Sequence, residues 1–220
     1  MKEIAPGLHL LKGRPRNAFN VYLMGDVLVD AGTRYARRRI LKAVAGRSLS
    51  ALALTHGHAD HQGSAHKVCS ALDLPLMCGE FEKAAIEAGD IRSLVPPSWS
   101  STVSAKLWAG AGHPVARSLR DGSEVSGFRV IETPGHSPGH ISFFRERDGV
   151  LIAGDVIFNL NPFTGRRGLQ FPPDLFTVDP ELNRASARKL AELGPSLICF
   201  GHGRPVEAKE LTAFLQGFGV

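Results

Sequence analysis

The stretch that decides the fold reads Thr55-His56-Gly57-His58-Ala59-Asp60-His61-Gln62-Gly63. Its three histidines and one aspartate follow an apolar segment, residues 50–55, that is typical of a buried strand. Imidazole nitrogens and carboxylate oxygens are the usual protein ligands of zinc and related divalent ions. In an extended backbone His56 and His58 point to the same side, so both can reach one ion. Asp60 and His61 come about one turn later and can reach a second ion beside it.

Three more residues of ligand type follow predicted strands further along the chain. His136 comes after the strand that ends at Glu132, Asp155 after residues 150–153, and His202 after residues 197–200. Each of them has glycine beside it. A histidine-rich surface loop would predict none of these downstream positions. Loops at one edge of a sheet are where rigid scaffolds place catalytic groups, so the spacing favours a metal site at a sheet edge.

The HxHxDH motif, followed by Gly-His, Gly-Asp and Gly-His in that order, resembles the metallo-β-lactamase superfamily. The resemblance runs from the Leu-Val-Asp-Ala-Gly of residues 28–32 to His202. It implies an α/β fold, a four-layer αβ/βα sandwich of two mixed β-sheets, with the active site at one edge. It also implies an enzyme, a metal-dependent hydrolase.

The resemblance further implies a ligand set for two divalent metal ions. Zn²⁺ is the first expectation, and Fe or Mn would accept the same ligands. The first ion would be bound by His56, His58 and His136, the second by Asp60, His61 and His202, and Asp155 would bridge the two. A metal-bridging hydroxide would be the nucleophile. Asp60 is expected to be catalytic as well, because its carboxylate can orient that hydroxide.

The substrate is open at this level. A small thioester, ester or lactone is the first expectation, as in the glyoxalase II and lactonase-like branch. Phosphodiester or pyrophosphate hydrolysis is an alternative that Arg166 and Arg167 favour. Three other functions also stay open: a β-lactamase, a mononuclear-iron persulfide dioxygenase of the same fold, and a non-catalytic binding module. The β-lactamases usually lack an aspartate like Asp155. Five large aromatic residues are expected either to line an apolar pocket around the metals or to lie in the core. They are Trp99, Trp108, Phe163, Phe171 and Phe176.

Several other polar residues have weaker expectations. His140 either supports a metal ligand through a hydrogen bond or is a structural histidine. Asp30 is expected to support the site loop without binding metal. No ligand role is expected for His66, which is expected to be exposed on a helix, or for His9 and His113, which lack ligand partners nearby in the sequence.

Length and composition limit the remaining possibilities. The 220 residues, of which 43% are hydrophobic, predict one domain over residues 1–220. An irregular cover, either a loop or a helical flap, is expected at about residues 90–115. The 26 basic and 21 acidic side chains give a net charge of only +5, so a small molecule is the expected partner and nucleic acid is not. No apolar run approaches a membrane span, and the N-terminus lacks a signal-peptide pattern, so we predict a cytoplasmic protein. The three cysteines are expected to be free, and the oligomeric state is open.

Overall fold

The computed structural model describes residues 1–13 and 15–217, which form fifteen strands and seven α-helices. The strands are β1 Lys2–Ala5, β2 Leu8–Leu10, β3 Tyr22–Met24, β4 Val27–Val29, β5 Ala51–Ala53, β6 Leu76–Gly79, β7 Val115–Leu119, β8 Glu124–Val125, β9 Phe128–Glu132, β10 Ile141–Arg145, β11 Val150–Gly154, β12 Phe158–Leu160, β13 Arg167–Gln170, β14 Leu197–Phe200 and β15 Val206–Glu207. The helices are α1 Arg37–Val44, α2 Ala59–Gln62, α3 Ala65–Leu72, α4 Lys83–Ala88, α5 Trp99–Trp108, α6 Pro180–Glu192 and α7 Ala208–Gln216.

Two large mixed sheets form the centre of the fold. The first has the order β1-β2-β3-β4-β5-β6-β7, antiparallel as far as β4 and parallel from there on. The second has the order β15-β14-β11-β10-β9-β8, with β11 parallel to β14. Strands β12 and β13 form a separate two-stranded sheet. The predicted pair of mixed sheets is confirmed.

Apolar side chains cover both faces of each sheet. Successive side chains of a strand point to opposite faces, so in β3 Tyr22 and Met24 pack between the two sheets while Leu23 packs outward. The outer face of the first sheet lies against α1 and α3, and that of the second lies against α6 and α7. The layers are therefore helix, sheet, sheet, helix, as the sequence predicted.

The carboxyl ends of β5, β9, β11 and β14 meet at one edge of this sandwich. Hydrogen bonds tie the ends together: Ile141 N donates to Thr55 O across the two sheets at 2.9 Å, and Gly201 N donates to Gly154 O at 2.9 Å. Every candidate ligand therefore belongs to a short loop that a buried strand anchors.

The cover segment is partly helical. Residues 90–115 contain a 3-10 helix, Ile91–Leu94, and the ten-residue helix α5. Helix α5 begins with a capping box in which Ser98 and Ser101 bond each other's backbone N–H groups, which compensates for its weak helix formers. Residues 99–108 thus form a helix, one of the two forms that the sequence left open for the cover, and the single domain stays a prediction. Within the described residues, no helix combines the length and the hydrophobicity that a membrane crossing requires.

Candidate metal centre

The structure brings the seven predicted ligand residues together at the shared strand edge. His56 and His58 lie in the turn after β5, and Asp60 and His61 lie in α2, the short helix that follows. His136, Asp155 and His202 come after β9, β11 and β14 respectively. All seven are buried except Asp60, which is partly exposed. Their donor atoms form three overlapping groups able to hold a metal ion: His56 with His58 and His136, His56 with His61 and Asp155, and Asp60 with His61 and His202.

The carboxylate of Asp155 lies at the centre of this cluster. Its Oδ2 atom is 3.0 Å from the Nε2 of His202, 3.2 Å from that of His61 and 3.5 Å from that of His136. The Nε2 of His56 is 3.8 Å away. A carboxylate surrounded by four imidazoles from both predicted triads occupies the position that a bridging ligand requires.

Several buried polar atoms in the cluster have no hydrogen-bond partner. They are His56 Nε2, His61 Nε2, His136 Nε2 and Asp155 Oδ1. A buried polar group without a partner costs about 1–3 kcal/mol. Four such atoms converging on one point fit a site that binds a cation.

The hydrogen bonds on the far side of each ring fix the position of its proton. His61 Nδ1 faces the carboxylate of Asp30 at 2.9 Å, His202 Nδ1 faces the carbonyl of Ala18, and His58 Nε2 faces the carbonyl of Leu94 at 2.9 Å. These oxygens only accept, so the ring nitrogen beside each must carry the proton.

The two remaining rings, His56 and His136, each face a threonine hydroxyl. Thr55 Oγ1 donates its hydrogen to a carboxylate, and Thr177 Oγ1 donates to a carbonyl, so each oxygen is left to accept from the adjacent Nδ1–H. In each of the five rings the nitrogen that is left to bind a metal therefore points into the cluster.

Asp30 supports the site as the sequence predicted. It follows β4 in a left-handed conformation, with φ of 63°, which aspartate tolerates better than most residues. Besides His61 it accepts from Thr55 N at 2.8 Å and from Thr55 Oγ1 at 3.0 Å. One carboxylate thus fixes both the His61 ring and the start of the HxHxDH turn.

His140 supports Asp155 from the opposite side. Its Nε2 accepts from the backbone N–H of Asp155 at 3.0 Å, so its proton is on Nδ1 and points to Thr133 Oγ1 at 2.8 Å. Burial lowers the pKa of His140 to about 3, which keeps this ring neutral. Of the two roles that the sequence allows for His140, the structure therefore favours support of a ligand. His66 and His113 lie apart from the site and face each other, with 3.2 Å between their Nδ1 atoms.

Burial and mutual proximity set the charges of the cluster. Burial, with neighbouring imidazoles, lowers the pKa of His56 and of His136 well below the usual value. Burial alone would raise the pKa of Asp155, yet His202 and His61 hold it well below the usual range. Burial also opposes protonation of His61, but Asp155 and Asp30 raise its pKa well above normal. The site is thus a carboxylate among imidazoles, and a bound metal ion would displace the protons that Asp155 now attracts.

Gly201 makes the close approach of two ligands sterically feasible. A Cβ at this position would lie 2.0 Å from Asp155 Oδ1 and 2.6 Å from His61 Cε1. Any side chain would therefore displace both. This requirement explains why glycine precedes His202.

A narrow pocket with a cavity volume of about 30 Å³ opens onto the cluster. Helix α5 and the preceding turn form one wall, with Ile91, Val95 and Ala105, and Phe163 and Phe176 form another. These two phenylalanines stack with 4.6 Å between ring centroids.

The other aromatic residues named from the sequence have different locations. Trp108 stacks behind Phe163 at 5.8 Å, Trp99 is 80% exposed, and Phe171 packs against the α6 and α7 cluster. Arg166 and Arg167 are exposed and are not among the residues that line the pocket.

Sequence reasoning missed several residues that hold the ligands. Thr55, Thr177 and the carbonyls of Ala18 and Leu94 act through contacts between distant segments, which no local pattern indicates. Glu82 is completely buried between two ligand loops. The sequence indicates it only indirectly: both loops contain small residues, which leave room for a buried side chain between them.

Comparisons with known proteins agree with this geometry. The profile of the metallo-beta-lactamase superfamily matches residues 17–202. The chain is 30% identical to the probable metallo-hydrolase YflN of Bacillus subtilis, over 97% of this chain and 90% of that protein. It is 29% identical to a hydroxyacylglutathione hydrolase of Chelativorans sp., over 80% of this chain but 56% of that protein.

Among solved structures, the BLEG-1 B3 metallo-beta-lactamase is 27% identical with a TM-score of 0.72, over 96% of this chain and 100% of that one. The family profile covers most of the chain, and the sequence relative matches along nearly all of it. The chain belongs to the metallo-β-lactamase superfamily and is a metal-dependent hydrolase.

Proposed function

We propose that the chain binds two divalent metal ions and hydrolyses a small carboxylic acid derivative: a thioester, an ester or a lactone. The observation that carries the dinuclear part is the common orientation of five histidines. Each ring donates outward, so each turns its other nitrogen into the cluster. Such an arrangement has no purpose in an apolar core, where these nitrogens would stay unsatisfied.

The residues divide between two ions as the overlapping groups suggest. His56, His58 and His136 would hold the first ion, Asp60, His61 and His202 the second, and Asp155 would contact both. Zn²⁺ suits a set of imidazoles and carboxylates. Two bound ions would lower the pKa of a shared water molecule toward neutrality and polarise the scissile carbonyl oxygen.

The chain itself would orient the reacting groups. Asp60 is the one candidate ligand that is partly exposed, and it lines the pocket, so its free carboxylate oxygen can accept a hydrogen bond from the attacking water. The outward hydrogen bonds of the histidines keep their rings from rotating as charge develops at the substrate. The pocket wall made by Phe163 and Phe176 would hold an apolar acyl group and exclude bulk water.

The pocket lining favours hydrolysis at a carbonyl group over hydrolysis of a phosphate ester. Of the described residues that line the pocket, none is lysine or arginine. Phosphoryl groups are usually held by cationic side chains besides metal ions. Arg166 and Arg167 lie outside the lining, so the feature that favoured phosphodiester hydrolysis is missing from the described part of the pocket.

The relatives support carboxylic chemistry without naming the substrate. A hydroxyacylglutathione hydrolase acts on a thioester. The match covers 56% of that protein, so the other 44% of its length is not matched by this chain. β-Lactam hydrolysis is the second candidate, because the similarity to BLEG-1 extends over that whole chain. Asp155 at the centre of the cluster argues for the first candidate.

Acid release in a pH-stat tests the proposal directly. Zinc-, manganese- and iron-reconstituted protein would be assayed on lactones, glutathione and CoA thioesters, a simple ester, a β-lactam and a phosphodiester. We expect turnover of one acyl class, lost in Asp155→Asn and kept in Asp73→Asn, a matched change at an exposed residue whose left-handed φ of 52° asparagine also tolerates.

Turnover of only the β-lactam or the phosphodiester would refute the substrate class. Oxygen uptake by the iron form in the presence of a persulfide would show that the protein is a dioxygenase and not a hydrolase.

A further inference from the structure

A completely buried carboxylate, Glu82, lies between two loops of the metal centre. It ends the 3-10 turn Glu80–Glu82 that follows β6, and its side chain has 0% exposure. None of the roles described above uses it. An unpaired carboxylate is rarely fully buried, since the loss of hydration costs several kcal/mol.

Glu82 accepts hydrogen bonds from both loops. Its Oε2 accepts from the backbone N–H of Gly57 at 2.5 Å, in the turn between His56 and His58. Its Oε1 accepts from Ser137 Oγ and, at 3.2 Å, from the backbone N–H of Gly139, in the loop that carries His136. The first loop belongs to one sheet of the sandwich and the second to the other. One side chain therefore connects the two sheets at the metal edge.

Both backbone contacts are made by glycines that have little space beside them. A Cβ at Gly57 would lie 3.2 Å from Glu82 Oε2 and 2.5 Å from the Leu94 side chain. A Cβ at Gly139 would lie 2.7 Å from Glu82 Cγ. The two glycines thus leave room for the glutamate on each side, so the three residues form one fitted arrangement.

We propose that Glu82 is a positioning residue that sets the distance between the His56–His58 turn and His136, and so determines the affinity of the first metal site. The inference rests on the proposed dinuclear function, because the three imidazoles it positions are those assigned to the first ion. The two histidines of the second site are held by groups other than Glu82: Asp30, which also contacts Thr55, faces His61, and the Ala18 carbonyl faces His202. A change at Glu82 should therefore affect one site and spare the other.

The substitution Glu82→Gln shows why the carboxylate is needed. An amide has one oxygen and one NH₂ group, whereas all three partners donate to Glu82. If the amide oxygen stays with Ser137 and Gly139, the NH₂ group meets the N–H of Gly57 donor against donor at 2.5 Å. If the amide turns over, Gly139 N loses its acceptor. Either way one loop must move relative to the other.

The test measures zinc affinity site by site, by equilibrium dialysis of apoprotein against buffered zinc. The variants are Glu82→Gln, Asp30→Asn as a second-site reference, their combination, and Glu192→Gln as a matched control at a position outside the metal centre. We expect two tight sites in the wild type and the control. Glu82→Gln should weaken one site about 10–100-fold and leave the other within about twofold, and the combined variant should weaken both.

The outcomes separate this inference from the proposed function. Wild-type protein that binds no zinc would refute the proposed function itself. If the wild type has two tight sites and Glu82→Gln leaves both affinities unchanged, the role of Glu82 is overturned and the proposed function stands. Equal weakening of both sites would overturn the role of Glu82 in the same way. If Glu82→Gln does not fold, Ser137→Ala removes one donor and keeps the carboxylate. It should weaken one site severalfold, and unchanged affinity there would overturn the inference.

Discussion

Replacing Asp30 by asparagine should weaken the second metal site while keeping the fold. Asparagine has nearly the same shape and tolerates the φ of 63° at this position. Its carbonyl oxygen can keep the bond from Thr55 N, which is 2.8 Å in the native protein. Its NH₂ group then faces His61 Nδ1, which lies 2.9 Å from the native Oδ2. His61 must move its proton to Nε2, the nitrogen that faces Asp155.

The expected loss follows from that change of tautomer. To bind a metal through Nε2, His61 must then carry its proton on Nδ1, where it meets the NH₂ group of the asparagine donor against donor. The charge-assisted hydrogen bond from Nδ1 to the native carboxylate, worth about 1.5–3 kcal/mol, is lost. Loss of a partner behind a metal-binding histidine typically costs about 10–100-fold in metal affinity, or roughly 1.4–2.8 kcal/mol. The two figures agree, so we expect the second site to weaken by this factor.

Competition with a chromophoric zinc chelator at neutral pH measures the effect, with Asp73→Asn as the matched control. Thermal unfolding of the apoproteins checks that the fold is kept. Zinc affinity within about twofold of wild type in a folded Asp30→Asn protein would refute the assignment of Asp30. Equal weakening in Asp73→Asn would show that the effect does not come from the His61 contact.

Two further predictions concern the thiols and Gly201. Burial raises the pKa of Cys69 and of Cys78 to about 12, and all three cysteines are free and buried. We therefore expect no rapid reaction of the native protein with Ellman's reagent at neutral pH. After denaturation, three thiols should react. A rapidly reacting thiol in the native protein would contradict this burial. Gly201→Ala should lose zinc binding and turnover, because its Cβ would lie 2.0 Å from Asp155 Oδ1, while Gly13→Ala, with 3.5 Å to its nearest neighbour, should keep both. Full zinc occupancy in Gly201→Ala would exclude so close an approach to Asp155.

The sequence was sufficient for the parts of the fold that buried strands and ligand residue types determine. The strands before His56, His136, Asp155 and His202 are apolar runs, so both their existence and the edge where they end were predictable. The resemblance then supplied the layer order. The proximity of the seven residues was predicted correctly for the same reason, and their assignment as ligands stays a prediction.

Other elements depend on contacts that no local pattern carries. Strand β7 contains Arg117 and Ser118 and exists because it pairs in parallel with β6. Helix α5 is rich in serine and threonine, and its capping box determines where it begins. Glu82 resembles any surface glutamate of a short helix until the two ligand loops are placed beside it. These features are tertiary, so tertiary structure was needed to find them.

Anomalous diffraction at the zinc edge from crystals of the zinc-reconstituted protein tests the central claim most directly. We expect two peaks about 3.5–4 Å apart on either side of Asp155. One peak should lie among His56, His58 and His136, and the other among Asp60, His61 and His202. A single peak, or peaks that do not share Asp155, would contradict the dinuclear centre.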